Sequence, residues 1–540
     1  MTENEKANVR LGTVIYGSLT QGVHVKLDPA RSVEDVTVGR YVAIQGEKKR
    51  FFGMITDISL EAVDPRAMVM PPDISDPFIA KVVCGTTTYG KLSVLPMLTI
   101  SGIAGDTEGP QPAKTVPPHF AGVELASQSD VEMVFGKEDK QRFYVGTPLD
   151  METRICLDME ELVKRSNGVF GKSGTGKTFL TRLLLIGMLQ KSRTTSLIFD
   201  MHNEYGWEGT SEKDHKVKGL KQLFPGKVAV FSLDEKYDQR RKVKSDFVVK
   251  IGYDEIEPED MQMLRSVLNL TDLAVQAVYE LARHFGDDKW LQSALDLFDS
   301  GDKEFASNHD IAESTWKNLL RGLRMLQRFK FLVPHAPENT VTTILEYISH
   351  GKSVVLQFGG YDDIAAYVLV ANLLTRRIYD RYREMVDIAT SADTKKPDQL
   401  VITIEEAHRF LSPEISSQTI FGKIAREMRK YNVTMLVIDQ RPSGIDEEVM
   451  SQLGTKITCL LDNEKDVDTV LTGVSGKSEL KAVLSKLESK QQALIFGHAL
   501  PMPVVVKVRE YGSADSYKEL GPTSSGEKAH KTDGLDDLWG

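Results

Sequence analysis

The chain has 540 residues, 41% hydrophobic and 27% charged, which excludes general disorder and supplies enough apolar material for more than one core. No run of about 18 apolar residues is present to span a membrane, and the polar opening MTENEKANVR lacks the apolar stretch of a secretory signal, so a cytoplasmic location is expected. With 77 acidic against 67 basic residues the formal net charge is −10; no global positive field attracts nucleic acid, and any such contact has to use a local basic surface.

Residues 11–16, 23–27, 41–44, 51–58 and 91–100 are short apolar runs punctuated by Gly, Asp and Pro, the pattern of a small all-β barrel. Residues 105–120 are rich in Gly and Pro and predict a loop or linker, which places an N-terminal domain at 1–150. From about 165 to 250 and from about 350 to 510, apolar β-branched runs at 196–199, 228–231, 353–358, 400–404 and 434–438 alternate with helical patterns. These predict buried parallel strands of an α/β domain over 151–512. Within it, the segments 258–270, 273–285, 316–329 and 341–349 have helical spacing and no convincing strand separates them, so a helical insertion is expected at about 255–350. The polar stretch 513–540 predicts a flexible tail that orders on meeting a partner. Cys84, Cys156 and Cys459 lie far apart without metal-ligand spacing and are expected to be buried, reduced thiols.

Chemistry concentrates at two places. Gly171-Lys172-Ser173-Gly174-Thr175-Gly176-Lys177-Thr178 fits G-x-x-x-x-G-K-T, with the strand-like 168–170 before it and a helical pattern over 179–189 after it. Glycines let backbone amides turn inward around phosphate, and the helix N-terminus adds its positive dipole end. Gly171, Ser173, Gly174, Thr175, Gly176, Lys177, Thr178 and Phe179 are therefore the candidate ATP-binding residues. Lys177 is expected to reach the β- and γ-phosphates, and the Thr178 hydroxyl to hold Mg²⁺. Downstream, the apolar run Val401-Ile402-Thr403-Ile404 ends in Glu405 and Glu406, as Walker B strands end in carboxylates. Glu405 takes the place of the acid that orders the Mg²⁺ shell, and Glu406 the place of the group that polarises the attacking water; an acidic helix start is the plainer alternative.

Three further segments carry polar groups of open meaning. Asp200-Met201-His202-Asn203-Glu204-Tyr205 follows a strand, at the sheet edge where α/β ligands bind. Gln440 follows the strand at 434–438 and is a candidate for sensing the γ-phosphate or positioning water. For both, loop polarity or helix capping is the alternative. Between the last two strands, Arg426 and Arg429 lie on an amphipathic stretch; an arginine there suits either a finger for a neighbouring site or a solvated helix face.

Taken together, the chain resembles the HerA family within the HerA/FtsK group of P-loop ATPases. The resemblance runs over most of residues 10–510 and rests on VGRYVAI and FFGMITDI in the β region, FYVGTP before FGKSGTGKT, DMHNEY, IEEAH, AREMRKYNVTMLVIDQRPS and LIFGHALPMPVVVKV. It departs at Met428, where the family usually has Gly, and at Arg165-Ser166-Asn167, a loose match to the family's Arg before the P-loop strand. It implies a RecA-like core behind an N-terminal β-barrel, and a homohexamer with ATP between subunits and double-stranded DNA in a central channel. It further implies a nuclease or other effector docked through the barrel, in DNA-end processing or antiphage defence. Arg429 is the finger the resemblance favours, with Arg426 second. The basic helical stretch Arg376, Arg377, Arg381 and Arg383 has no assigned place relative to such a channel. An ATP-loaded ring that organises a partner effector without processive translocation is the competing expectation. A secretion or conjugation ATPase is a third, which the barrel disfavours.

Overall fold

The computed structural model describes residues 10–521 apart from 20, 70–71, 102–108, 211–215, 302–303, 418, 428–429 and 475. Six antiparallel strands form the N-terminal barrel: Arg10–Ser18, Gly22–Leu27, Tyr41–Gln45, Lys49–Ala62, Thr88–Ser101 and Gly122–Leu125. Pairing of the second with the fifth, Val23 opposite Val94 and Val25 opposite Leu92, closes the ring and removes the open edges a sheet would otherwise expose. Gly122–Leu125, a strand the sequence reading does not foresee, bridges the first strand and the third.

Alternation along Tyr41–Gln45 fixes how the barrel sits. Val42 and Ile44 point into the barrel core with Val25, Ile55, Leu92 and Val123. Their neighbours Tyr41 and Ala43 point the other way, with Phe52 and Met54, into the core of the second domain, as a two-residue period requires. The Tyr41 hydroxyl donates to the Pro503 carbonyl at 3.1 Å, and Arg50 pairs with the buried Asp130 at 3.0 Å. The barrel thus shares an apolar face with the domain behind it.

That domain is built on one twelve-stranded sheet. From Phe247–Val248 through Val228–Ser232, Ser353–Gln357, Thr195–Asp200, Leu400–Ile404, Val433–Asp439 and Asn167–Phe170 to Thr455–Thr458, neighbours run parallel. Gln492–Gly497, Val504–Val508, Arg142–Thr147 and Ile155–Asp158 continue the sheet antiparallel. The parallel strands are buried on both faces, which explains their unbroken apolar sequences. Arg142–Thr147 belongs to this sheet, so a division at 150 cuts through it; the barrel strands end at Leu125.

The segment after Ile251–Gly252 is helical, from Pro258–Leu264 through Asp272–Phe285, Trp290–Ser300 and Glu313–Leu326 to Thr340–Ser349. A short parallel pair, Ile251–Gly252 with Leu332–Val333, sits at its base. The buried Trp290 indole donates to the Ile256 carbonyl at 2.7 Å and anchors the insertion. The basic stretch on the long helix Ile364–Ser391 is occupied within the protein. Arg376 reaches Asp260 at 3.0 Å, Arg377 reaches Glu257 at 3.2 Å, and Arg381 and Arg383 pair with Glu384 and Asp380 on their own helix. Arg376 and Arg377 fasten the insertion to the core, and the four together do not form a free positive track.

At the C-terminal end, Ala514–Leu520 is a helix and not part of a loose tail. Leu520 is fully buried, its carbonyl accepts from Gln190 at 2.8 Å, and Glu519 pairs with Arg509 at 2.9 Å. Residues 522–540 of the expected tail lie outside the described residues. Cys156 and Cys459 are buried and free, and the side chain of Cys84 lies outside the described residues. Among the described residues no helix is long and apolar enough to cross a membrane.

Candidate active site

The P-loop strand Asn167–Phe170 lies between Val433–Asp439 and Thr455–Thr458. Its first residue is locked in place. The buried Asn167 amide donates to the carbonyls of Leu162 and Arg165 at 2.6 and 2.7 Å and accepts from Thr455 N at 3.0 Å. The chain then turns through Gly171, Gly174 and Gly176 with φ of 154°, 76° and 92°, values that favour glycine. A Cβ at Gly171 would meet the Cys459 Cβ at 2.8 Å. The turn delivers the chain into helix Lys177–Lys191, so its first free N–H groups face the loop.

Lys177 Nζ donates to the Lys172 carbonyl at 2.8 Å, and the Thr175 hydroxyl donates to the same oxygen at 2.8 Å. The ammonium is therefore folded into the mouth of the loop. Burial holds Lys177 below the usual lysine pKa, opposed by the thiol of Cys459 and the carboxylates of Glu406, Asp439 and Glu405. Ser173 and Gly174 are exposed at the rim of the loop. Phe179 lies within 6.0 Å of the Tyr511 ring, with the Arg182 guanidinium over both rings.

The two carboxylates after strand Leu400–Ile404 have different surroundings. Glu405 is buried and locked: Tyr205 donates to its Oε1 at 3.0 Å, and the buried Tyr367 hydroxyl bonds both its carbonyl, at 2.9 Å, and its N–H, at 3.0 Å. Its other oxygen, Oε2, is buried without a hydrogen-bond partner. Burial, reinforced by Asp200 and Glu204, pushes the Glu405 carboxyl well above its usual range. Glu406 is half-buried and adopts φ of 48°, left-handed backbone that is uncommon for a non-glycine residue. Gln440 Nε2 donates to its Oε1 at 3.2 Å.

Thr178 meets an acid that the motif reading does not assign. Its hydroxyl donates to Glu204 Oε2 at 2.8 Å. Asp200 builds that loop and does not face the ligand: its buried carboxylate accepts from the N–H groups of Glu204, Tyr205 and Gly206 at 2.7, 2.9 and 3.3 Å. Thr178 bonds Glu204, Glu204 is among the acids that raise Glu405, and Glu405 carries the orphaned buried oxygen. Such a hard-oxygen set fits Mg²⁺, and a cation there would offset the charge that burial penalises.

Asp439 ties the two halves of the hydrolytic edge together. Its buried carboxylate accepts from His408 N at 2.7 Å, from His408 Nδ1 at 3.0 Å and from Arg441 N at 2.6 Å. The loop carrying Glu406 and the loop carrying Gln440 are therefore held by one side chain. Sequence reading passes over Asp439, His408 and Glu204, although all three lie in segments that it singles out. Asp439→Asn is expected to keep ATP binding and to lower turnover by about a hundredfold, the scale of a misplaced general base. Nucleotide titration alongside single-turnover hydrolysis checks this, and a variant with full turnover would remove Asp439 from the account.

Of the two finger candidates, Arg429 lies outside the described residues. Arg426, at the end of helix Ile420–Arg426, donates to the Ser416 carbonyl at 3.1 Å and lies 3.8 Å from Glu448, so it is engaged within its own protomer.

Residues 143–378 match the family model described as the central domain of the helicase HerA. The DNA double-strand break repair helicase HerA of Pyrococcus furiosus is 26% identical over 450 residues, covering 77% of this chain and 76% of its own. The chain is similar to the HerA helicases over most of its length. A HerA of Sulfurisphaera tokodaii, given the same description, is 23% identical over 515 residues and spans 93% of each chain, so the relationship includes the barrel. Among solved structures, the bacterial conjugative coupling protein TrwB aligns at 13% identity and a TM-score of 0.45, over 72% of this chain and 93% of its own. These similarities are those of an ATPase.

Proposed function

We propose that this HerA-like ATPase is a homohexameric translocase on double-stranded DNA that works with a nuclease or another effector, in DNA-end processing or antiphage defence. The observation that carries the reading is the joining of a complete hydrolytic edge (Lys177, Thr178, Glu405, Glu406 and Gln440) to a barrel, in a chain collinear with relatives described as DNA repair helicases. ATP is held by the P-loop amides, Lys177 and Thr178. Thr178, Glu405 and Glu204 would hold Mg²⁺, which would neutralise charge on the phosphate oxygens. Glu406, oriented by Gln440 and by the Asp439 clamp, accepts the proton of the attacking water. Arg429, or Arg426 if it leaves Ser416, stabilises the transferring phosphoryl group of a neighbouring subunit.

The N-terminal domain supports the partner assignment through apolar side chains that stand exposed among the described residues, Leu60 on a barrel strand and Phe78, Ile79 and Val82 on helix Pro77–Thr86. The second reading, a ring that assembles an effector without moving along DNA, shares every catalytic residue. ATP-dependent displacement of a third strand from a duplex separates the two. Displacement that requires ATP and the intact Glu406 supports the motor; hydrolysis without displacement supports the scaffold. The mass of the native complex reports the subunit number.

A further inference from the structure

With Arg376, Arg377, Arg381 and Arg383 neutralised inside the protomer, a different surface concentrates free positive charge. Two adjoining cavities that share Arg240 and Gly360 open at the C-terminal edge of the parallel sheet. Lys236, Arg240, Arg241, Arg328 and Lys330 line them, against the acids Asp234 and Asp362. Lys236, Arg328 and Lys330 are exposed and make no ion pair among the described residues. Arg240 is 71% exposed, and its nearest carboxylate, Asp234, lies 3.9 Å away.

Asp234 lies at the outer limit of an ion pair with Arg240 and is held by backbone donors. It caps helix Glu235–Arg241 by accepting from Lys236 N and Tyr237 N at 3.1 and 3.2 Å, and it accepts from Gly360 N at 3.3 Å. In a chain of net charge −10, a cleft this basic has no role in folding that the contacts reveal. It also has a built connection to the ATP site. Asn203 exchanges two hydrogen bonds with Gly359, at 2.9 and 2.8 Å. The next residue, Glu204, accepts from Thr178. Gly359 adopts φ of +64°, and a Cβ there would meet the Asp234 Cβ at 2.6 Å, so the turn between cleft and latch is confined to glycine.

We propose that this cleft binds the phosphodiester backbone of duplex DNA and that the Asn203–Gly359 latch joins DNA occupancy to the loop facing Thr178. This rests on the reading of the protein as a DNA translocase and names where that DNA is held. Guanidinium and ammonium groups of this density suit consecutive phosphates.

The test is fluorescence anisotropy of a labelled blunt duplex with the full-length protein over a salt series. The combined variant Lys236→Glu, Arg240→Glu, Arg328→Glu is expected to bind DNA about tenfold or more weakly, with a salt slope lower by about one for each phosphate contact removed. Unchanged nucleotide affinity shows that it is folded. The Arg240→Lys, Arg328→Lys variant keeps binding, because phosphate accepts a point charge. A wild-type protein that does not bind duplex DNA overturns the translocase reading itself. If the wild type binds and the Glu variant matches it in affinity and salt slope, the cleft assignment alone falls. If instead the Glu variant loses only binding to polyglutamate, the cleft belongs to an acidic protein partner and the proposal is overturned.

Discussion

Lys177→Ala is expected to lower steady-state ATP hydrolysis by about a hundredfold or more, the loss that follows removal of one preorganised charge at a reacting centre. The magnitude follows from position. Lys177 Nζ is folded into the loop mouth 2.8 Å from the Lys172 carbonyl, and the loop's other ammonium, on Lys172, is paired with Asp462 at 3.0 Å. Burial already disfavours its charge, so the ammonium is poised to gain from an anionic phosphate chain that displaces the Lys172 contact. Alanine leaves the glycine turns and the helix N-terminus intact, so weak nucleotide binding survives while turnover does not. Phosphate release measured at saturating ATP is the check. Turnover above about a tenth of wild type is incompatible with the role assigned to this side chain.

Glu406→Gln is expected to bind ATP tightly and to hydrolyse it about a hundred- to ten-thousandfold more slowly, the span of a lost general base. Glu405→Gln is expected to act on binding instead. The structural contrast motivates the split: Glu406 is half-buried, left-handed in φ and held by Gln440, whereas Glu405 is enclosed by Tyr205 and Tyr367 with one oxygen free. Glutamine at 405 still accepts from Tyr205 but offers no negative charge for a cation, so Mg²⁺-dependent nucleotide affinity falls. Fluorescent-nucleotide titrations at varied Mg²⁺, set beside single-turnover rates, separate the two effects. Normal hydrolysis by Glu406→Gln would move the water-polarising role to another group.

The phosphate-binding loop was legible in sequence because its physics tolerates few residue types. Positive φ at Gly171, Gly174 and Gly176, and a space against Cys459 too small for a Cβ at Gly171, are conditions that side chains violate. The Walker B strand was legible for a related reason, since a strand buried on both faces has an unbroken apolar sequence, and charge at its end stands out. Roles within the pair were legible only by analogy; the tyrosines that lock Glu405 come from residues 205 and 367, far away in the chain.

What stayed hidden depends on long-range partners. Arg376 and Arg377 look like a positive track until Glu257 and Asp260 are brought against them by the insertion. Gly122–Leu125 has too short a sequence to declare itself; its meaning is the gap between two other strands. Glu204 sits in a segment noted for its polarity, but only the loop that Asp200 organises turns it towards Thr178. The cleft of Lys236, Arg240 and Arg328 draws on helix Glu235–Arg241 and on the turn after helix Glu313–Leu326, separated by most of the insertion, which no local pattern links.

The most direct test of the account is the rate of phosphate release from wild-type protein with and without duplex DNA, with Lys177→Ala as the background control. The account predicts hydrolysis that depends on Lys177 and rises when duplex DNA is added. Hydrolysis that survives in Lys177→Ala, or that is indifferent to duplex DNA at every concentration, would contradict it.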